Sequence, residues 1–337
     1  MKKFLSILVL VALAMFIATP AMAEVGLNKQ NVWNAHQIFK HGITVDGQDI
    51  VPSPQFSKVW YVCSVGGADT MGNDYGKSYD KPFATLNYAV GQCRAGYGDV
   101  IFVLPSHNEG ITTAAEIDFD VAGIFVIGLG TGEDRPTIDF DAQAASVAVG
   151  ASNITIDNIR FRVSANAVTV GLDIEAGFDF THVTNCEFGY AETATDEFAI
   201  SLRNNAGCDG TVIDNCLFSA GAQAAVVGVS ITGASDDVTI SYCRFLGAFS
   251  TSCINGITTL STNLLIEKNL FYQGATEPAI ELLTNTTGLI RDNDVKTNLA
   301  TMIASVVADA CYLFRNYYNE DVNPGTGTIM GAASADD

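Results

Sequence analysis

The chain has few basic residues for its length. Its 337 residues include 17 Lys and Arg against 37 Asp and Glu, which gives a formal net charge of −20. Because affinity for nucleic acid comes mainly from neutralising phosphates, this balance excludes nucleic acid as an expected partner. It also excludes a polybasic site for a membrane surface. An acidic surface resists aggregation and favours divalent cations or basic partners.

Histidine and cysteine motifs are lacking as well. The four histidines are scattered and suggest neither a metal triad nor a Ser-His-Asp arrangement; they are His36, His41, His107 and His182. The eight cysteines contain no CxxC pair and no Cys/His cluster, so a zinc or redox site is not indicated. Two disulfides are candidates in an oxidising compartment, Cys63 with Cys93 and Cys208 with Cys253.

Long apolar runs are absent after the first 23 residues, so no membrane span is expected in the mature chain. The N-terminus itself reads MKKFLSILVLVALAMFIATPAMA. It combines a basic start, an apolar stretch and a small-residue cleavage site at Ala21-Met22-Ala23, the three marks of a secretory signal peptide. We therefore expect residues 1–23 to be a signal peptide and the mature protein to be secreted.

One eight-residue phrase occurs six times between Ile154 and Val295. The copies are ITIDNIRF, THVTNCEF, TVIDNCLF, VTISYCRF, LLIEKNLF and GLIRDNDV, and their starts are 27, 30, 27, 26 and 24 residues apart. Three positions recur in all of them: an aliphatic residue (Ile156, Val183, Ile213, Ile240, Ile266, Ile290), a large apolar residue at the end (Phe161, Phe188, Phe218, Phe245, Phe271, Val295), and a residue two before it (Ile159, Cys186, Cys216, Cys243, Asn269, Asn293). A period of this size is typical of a solenoid.

Each copy alternates apolar and polar residues and then meets Asn, Asp or Gly, the pattern of a short strand that ends in a bend. A single such strand cannot bury its inner face, but stacked copies pair every backbone group and align like residues in columns. The LxxLxLxxN phrase of leucine-rich repeats is absent. The sequence therefore predicts an all-β, right-handed parallel β-helix with aliphatic, aromatic and thiol columns, the last passing into an asparagine ladder.

The rest of the chain is assigned around this solenoid. Residues 24–58 are predicted to form an N-terminal arm, with a short helix at 31–41 and a hairpin turning at Asp46-Gly47. Residues 59–98 give a first strand, a loop and a capping helix from about Phe83 to Arg94, which Pro82 begins and Gly96 ends. The parallel β-helix covers 99–318, where IFVLPS at 101 matches IFVIGL at 124, and 319–337 is a loose C-terminal tail.

The segment from VWYVCSVGGAD through PFATL to GDVIFVLPSHNEGI resembles the N-terminal part of pectate-lyase-like β-helix proteins. The fuller run, from IVPSPQFSKVWYVCSVGGAD to VAGIFVIGLGTGEDRPTIDF, is similar to β-helix proteins encoded by tailed bacteriophages, in which such phrases precede NCxF repeats. The resemblance spans roughly residues 40–300. It implies a virion-associated fibre or decoration protein that faces the host surface, and a homotrimer by analogy with phage β-helix spikes.

The tetrapeptide IDFD occurs twice, at 117–120 and at 138–141. If both copies are strands one coil apart, Asp118 and Asp120 lie beside Asp139 and Asp141, with the Phe between each pair turned inward. Four carboxylates at that spacing repel unless a cation separates them. These residues are therefore candidate Ca²⁺ ligands, Asp139 and Asp141 are candidates for an acid and base pair, and an exposed acidic strand is the alternative.

A second candidate pair for proton transfer is His107 with Glu109, in the SHNEG turn. The motifs of pectate lyases and polygalacturonases are missing, and no GHG occurs. We therefore expect a non-enzymatic phage-type protein that contacts cell-surface polysaccharide or other virion proteins. The alternatives are a secreted polysaccharide lyase or depolymerase, supported by the signal peptide and acidic clusters, and a bacterial surface adhesin.

Overall fold

The computed structural model describes residues 44–45, 48–49, 57–191, 196–221, 227–258, 260–275, 277–297, 306–318 and 326–329. The chain divides into two units, 1–56 and 57–337. In the first unit, β1 (Thr44–Val45) pairs with β2 (Gln48–Asp49) in antiparallel register, as the predicted hairpin requires. The predicted signal peptide and the predicted helix at 31–41 lie outside the described residues.

Among its described residues, the second unit contains many short strands and one short α-helix. Its elements up to residue 163 are β3 (Val59–Val62), α1 (Leu86–Val90), β4 (Val100–Val103), β5 (Asn108–Ile111), β6 (Ile117–Asp118), β7 (Phe125–Gly128), β8 (Thr137–Phe140), β9 (Val147–Val149), β10 (Thr155–Asp157) and β11 (Arg160–Val163). Then follow β12 (Val168–Ile174), β13 (His182–Thr184), β14 (Glu187–Ala191), β15 (Phe198–Asn204), β16 (Val212–Asp214), β17 (Leu217–Ser219), β18 (Val227–Ile231), β19 (Thr239–Ser241) and β20 (Arg244–Gly247). The last are β21 (Ser252–Gly256), β22 (Leu264–Glu267), β23 (Leu270–Gln273), β24 (Ile280–Leu282), β25 (Gly288–Arg291), β26 (Asp294–Thr297), β27 (Val306–Phe314), β28 (Tyr317–Tyr318) and β29 (Thr326–Ile329). Two 3-10 turns lie at Gly72–Asp74 and Gly132–Asp134.

These strands form three ladders, and every pairing within them is parallel. Face 1 contains β3, β4, β7, β10, β13, β16, β19, β22, β25 and the end of β27. Face 2 is the nine-stranded sheet β5, β8, β11, β14, β17, β20, β23, β26 and β28. Face 3 contains β6, β9, β12, β15, β18, β21, β24 and the start of β27. The chain visits the faces in turn, so the fold is the predicted parallel β-solenoid.

The bend between face 1 and face 2 is a single residue in the left-handed conformation. Asn158, Asn185 and Asn215 have φ values of 59°, 54° and 51° at this corner. Asparagine tolerates this conformation better than most residues. The Nδ2 of Asn215 donates to the Oδ1 of Asn185 at 2.5 Å, and the Nδ2 of Asn185 donates to the Oδ1 of Asp157 at 2.7 Å. The Asn of the repeated phrase therefore turns the chain and links neighbouring coils.

The end position of the phrase forms an aromatic column in the core. Consecutive rings are stacked with centroids 4.6, 4.9, 4.8 and 4.9 Å apart and interplanar angles of 6° to 11°; they belong to Phe161, Phe188, Phe218, Phe245 and Phe271. The rings are fully buried, as are the aliphatic residues at Ile156, Val183, Ile213 and Ile240. Both predicted columns are confirmed. The rings can stack because the spacing between paired parallel strands is close to the spacing between stacked aromatic rings.

The thiol column and the asparagine ladder are confirmed too. Cys186, Cys216 and Cys243 are buried, and burial raises the pKa of the Cys216 thiol well above its usual value. The Oδ1 of Asn293 accepts from the backbone N–H of Asn269 at 2.9 Å and from its Nδ2 at 3.1 Å. Asn316 continues this ladder by accepting from the Nδ2 of Asn293 at 2.9 Å. Buried amides thus find partners in the adjacent coil.

Three details of the prediction are wrong. All eight cysteines are free thiols, including Cys63, Cys93, Cys208 and Cys253, so neither candidate disulfide is formed. Strands β4 and β7 do pair, but their register is shifted: Ile101 lies opposite Val126 and not opposite Ile124, the first residue of the predicted match. Residues 326–329 of the predicted loose tail form β29, which pairs with β27.

Helix α1 is shorter than predicted, at five residues. The side chain of Thr85 accepts from the backbone N–H of Tyr88 and so begins the helix after Phe83 rather than at it. Phe83 remains extended and bridges to Val62. The helix buries Leu86, Ala89 and Val90 against the first coils, where they join the hydrophobic core.

Candidate functional site

The two IDFD segments lie on different faces of the solenoid. Asp118 belongs to β6 of face 3 and lies opposite Ala148, whereas Asp139 belongs to β8 of face 2 and lies opposite Gly110 and Arg162. The predicted stack of four aspartates is therefore wrong, because identical tetrapeptides occupy different positions of the coil. Phe119 and Phe140 are fully buried, so the inward orientation of both rings is confirmed.

On face 2, the Asp139 side chain is already occupied. Its Oδ2 forms an ion pair with the Nη2 of Arg162, and its Oδ1 accepts from the Oγ of Ser164. Only 7% of Asp139 is exposed. On the same face, Glu187 accepts from Arg160 at 2.8 Å and pairs with Arg135 at 3.1 Å. These carboxylates are held by arginines from one or two coils away, which is a structural arrangement rather than a free acid and base.

The pair of His107 and Glu109 is also held by internal contacts. The Nδ1 of His107 accepts from the backbone N–H of Ser64 at 2.9 Å, so its proton lies on Nε2 and is donated to Glu109 at 3.1 Å. The Oε2 of Glu109 also accepts from the N–H of Leu86, the first residue of α1. Since the His107 side chain is fully buried, the pair fixes the helix to the solenoid and offers no ring nitrogen to a ligand.

Asp118 lies instead among acidic groups of face 3. Partial burial raises its pKa, and the negative charge of Asp120 raises it further, while a hydrogen bond from the Gly150 backbone opposes the shift. Partial burial and the charges of Asp118 and Asp173 likewise raise the pKa of Glu175. In the described part of the chain, no group of three or more His, Cys, Asp or Glu side chains is placed to hold a metal ion.

Asp118 begins a polar row on the outer surface of face 3, which we call the face 3 row. In-register pairing aligns one outward residue from each of seven consecutive strands: Asp118, Ala148, Asp173, Arg203, Ser230, Asn255 and Glu281. Their neighbours along the strands are buried core residues, such as Leu172 and Ile174. Six strand spacings of about 4.8 Å make the row roughly 29 Å long.

Arg203 is the only Lys or Arg in the face 3 strands. Its Nε donates to the Oδ1 of Asp173 at 2.8 Å and its Nη2 donates to the Oδ2 at 2.5 Å, which makes a two-point pair. The hydrogen bond to Asp173 raises the pKa of Arg203. The Nδ2 of Asn205 also donates to Asp173, at 2.7 Å, and Asn205 in turn accepts from Thr232 at 2.8 Å. This network fixes the guanidinium at the centre of the row.

The far end of the face 3 row carries an amide and a second carboxyl. The Nδ2 of Asn255 donates to the Oε2 of Glu281 at 3.3 Å, and Ser230 lies between Asn255 and Arg203 in the ladder. Partial burial raises the pKa of Glu281, and the charge of Glu277 adds to the shift. The row therefore places carboxyl, guanidinium, hydroxyl and amide groups in a fixed order that is interrupted by Ala148. Its charged residues are partly exposed, whereas Ser230 and Asn255 are 6% and 7% exposed.

Except for Asp118, the residues of the face 3 row were missed by the sequence analysis. The sequence does contain a pattern for this row. Each strand contributes an apolar residue, a polar residue and a further inward residue, as in LDI, LRN, VSI, ING and IEL. These triplets are shorter and more variable than the eight-residue phrase. They become recognisable once the coil boundaries are known.

Comparison with solved structures finds three lyases among the similar chains. A pectate lyase, Pel9A, matches with a TM-score of 0.52 and 13% identity over 82% of this chain and 79% of that one. A rhamnogalacturonan lyase gives 0.46 and 12% over 81% and 87%, and an alginate lyase from Paenibacillus sp. str. FPU-7 gives 0.45 and 14% over 72% and 95%. Comparison with protein-family profiles and with curated proteins gives no match. The likeness to Pel9A shows a pectate-lyase-like parallel β-helix fold.

None of the helices in the described residues is long and apolar enough to cross a membrane.

Proposed function

We propose that the protein binds a polysaccharide along the face 3 row, without cleaving it, as a fibre or decoration protein of a tailed phage that contacts the host surface. The face 3 row, in which Asp173 holds the guanidinium of Arg203 at the centre, is the observation that carries this proposal. The pectate-lyase-like fold of the chain supports it. The phage role rests on the sequence resemblance described above.

The row suits a ligand rich in hydroxyl groups. Hydroxyls both donate and accept, and the row offers donors at Arg203 and acceptors at Asp118 and Glu281, while Ser230 and Asn255 do both. Binding costs less entropy when the protein groups are already ordered. The hydrogen bonds among Asp173, Arg203 and their neighbours provide that order before any ligand arrives.

The state of Arg203 favours binding over elimination. A lyase needs a general base, and a base must be able to lose its proton near the working pH. The pairing with Asp173 raises the pKa of Arg203, so its guanidinium remains charged and acts only as a hydrogen-bond donor. The permanently charged guanidinium of Arg203 is therefore the main support for a non-enzymatic role.

A depolymerase is the second candidate, because Asp118 has the property of a general acid. Its raised pKa keeps a proton on the carboxyl to higher pH than usual, as the acid of a glycoside-cleaving pair requires. A bacterial surface adhesin would use the same row for binding alone. The location of the protein separates these roles.

Binding is tested with Arg203→Ala by affinity electrophoresis in gels that contain neutral, acidic or amino-sugar polysaccharides. We expect the parent to be retarded by at least one of them and Arg203→Ala to bind at least about tenfold more weakly, a loss of roughly 1.4 kcal/mol. The matched control is Arg244→Ala, which removes an exposed arginine from face 2. Equal retardation of the parent and Arg203→Ala would refute the proposal.

The enzymatic alternative is tested on the polysaccharide that binds. Product formation by the parent is measured by the release of reducing ends and by the absorbance of unsaturated sugars. If the parent forms product and Asp118→Asn does not, the enzymatic role replaces the non-enzymatic one. Mass spectrometry of virions and of culture medium then locates the chain. A peptide that begins at Glu24 in the medium would favour the secreted alternatives, and the chain within particles would favour the virion role.

A further inference from the structure

The face 3 row carries more negative than positive charge. Its charged residues are Asp118, Asp173, Arg203 and Glu281, and Glu175 directly follows β12 on the same face. These five side chains comprise four carboxylates and one guanidinium, so their formal excess is three negative charges. A ligand that lies along the row therefore meets mainly negative charge.

The guanidinium of Arg203 is neutralised by its own partner. Both carboxylate oxygens of Asp173 accept from it, at 2.8 and 2.5 Å, and Asn205 holds the same carboxylate at 2.7 Å. A carboxylate on a ligand would have to compete with Asp173 for this cation, and it would approach the other carboxylates of face 3 at the same time. Like charges that meet across an interface disfavour binding. The row therefore disfavours a uronic acid polymer.

At the first end of the row, a glycine allows two carboxyl groups to come close. Asp118 accepts a hydrogen bond from the backbone of Gly150, and one of its oxygens lies 2.8 Å from the point at which a Cβ of residue 150 would stand. Glu175 follows Ile174, which pairs with Val149, so Glu175 lies beside Gly150 in the next coil. Partial burial and the charge of Asp118 raise the pKa of Glu175. The two carboxyl groups therefore repel each other across a small gap.

The far end of the row carries a third carboxyl group, that of Glu281. One of its oxygens accepts from Asn255 at 3.3 Å. Partial burial raises its pKa, and the charge of Glu277 adds to the shift. Within the part of the chain that the structure describes, Asp118, Glu175 and Glu281 form no ion pair. Both ends of the row thus present carboxyl groups without a cation.

A ligand that covers these carboxylates has to compensate their charge. Partial burial already disfavours their charged form, as the raised pKa values of Asp118, Glu175 and Glu281 show. A neutral sugar would remove more water from them and supply only hydroxyl donors, which leaves the buried charge uncompensated. A protonated amino group supplies both an opposite charge and N–H donors, and hydrogen bonds between charged groups are the stronger kind.

We infer that the ligand of the face 3 row is an amino-sugar polysaccharide, whose protonated amino groups pair with Asp118 and Glu175 at one end and with Glu281 at the other. The inference rests on the proposed function, because it names the chemical class of the polysaccharide that this surface binds. Six strand spacings of about 4.8 Å separate Asp118 from Glu281, which is roughly 29 Å. Several sugar units therefore contact the row at once.

The test compares hexasaccharides that differ in charge. Isothermal titration calorimetry measures the binding of a β-linked glucosamine hexasaccharide and of its fully N-acetylated counterpart, at a pH at which the amines carry a proton. We expect the glucosamine form to bind at least about tenfold more tightly, because only this form compensates the carboxylates. Equal affinity for the two forms, or binding of neither, would overturn the inference.

Matched variants separate a specific site from general attraction to an acidic chain. Asp118→Asn and Glu281→Gln remove one charge each from the two ends of the row and keep the shape of the side chain. Asp214→Asn is the control, because Asp214 is also a partly exposed strand residue without a basic partner, but it lies on face 1. We expect each face 3 variant to bind about threefold more weakly and the double variant about tenfold, with Asp214→Asn unchanged.

Circular dichroism and thermal melting establish that each variant is folded before binding is measured. Equal weakening by Asp214→Asn and Asp118→Asn would show attraction without a site and would overturn the inference. The affinity gels distinguish its failure from that of the proposed function. If retardation that depends on Arg203 occurs only with a neutral or an acidic polysaccharide, the proposed function stands and the amino-sugar inference is wrong. If no polysaccharide retards the parent, both are wrong.

Discussion

The aromatic column makes a quantitative prediction about Phe218. Its ring is fully buried and stacks on two neighbours, Phe188 at 4.9 Å and Phe245 at 4.8 Å. Removing a buried Phe side chain costs about 3–5 kcal/mol, and each aromatic pair contributes about 0.5–1.5 kcal/mol beyond burial. We expect Phe218→Ala to lower the free energy of unfolding by about 5 kcal/mol, at the upper end of that range.

Phe271 is the control, because it has the same burial but stacks on one ring only. Its single aromatic neighbour is Phe245 at 4.9 Å, since the next coil has Val295 at this position. Phe271→Ala should therefore cost about 0.5–1.5 kcal/mol less than Phe218→Ala. Urea unfolding followed by circular dichroism measures both values. Equal losses would show that stacking adds nothing to burial, and a loss below about 1 kcal/mol for Phe218→Ala would show that the column is not packed as described.

Two further predictions concern the core. Ile213→Asp places an unpaired charge in the aliphatic column and should unfold the neighbouring coils. Val212→Asp, which changes the outward-facing residue just before it, should be tolerated by the fold. Hydrogen exchange distinguishes the two variants, and protection in Ile213→Asp equal to that of the parent would mean that the inward register is wrong. Burial raises the thiol pKa of Cys93 to about 12 and that of Cys311 to about 11, both from 9.0. The unfolded thiols lose their protons first, so these two groups should lower stability as pH rises from about 9 to 12, and replacing both by Ala should reduce that slope in alkaline unfolding titrations.

The columns could be predicted from the sequence because they repeat within one phrase. Ile213 and Phe218 are aligned with their counterparts by counting residues, and parallel pairing turns that alignment directly into contact. The same method failed for IDFD, because two equal tetrapeptides need not occupy the same position in the coil. Asp118 begins face 3 and Asp139 lies in face 2, and only the backbone pairing of the early coils distinguishes these positions.

Contacts between coils of different length could not be predicted by counting residues along the sequence. Arg203 and Asp173 are 30 residues apart, and nothing in their local sequence marks them as partners. They meet because β12 and β15 pair in register after loops of different composition. The burial of His107 was hidden for the same reason, since its partner Ser64 comes from the first coil, 43 residues earlier.

The one-residue corner at Asn158, Asn185 and Asn215 makes the displayed side chain independent of the strands beside it. Later coils place Tyr242, Lys268, Asp292 and Arg315 at the same corner with the same left-handed backbone, φ between 48° and 55°. An amide, a phenol, an amine, a carboxylate and a guanidinium are thus interchangeable there without moving the strands on either side. Such a corner is a position at which the chain can display a different functional group in each coil while the parallel pairing continues.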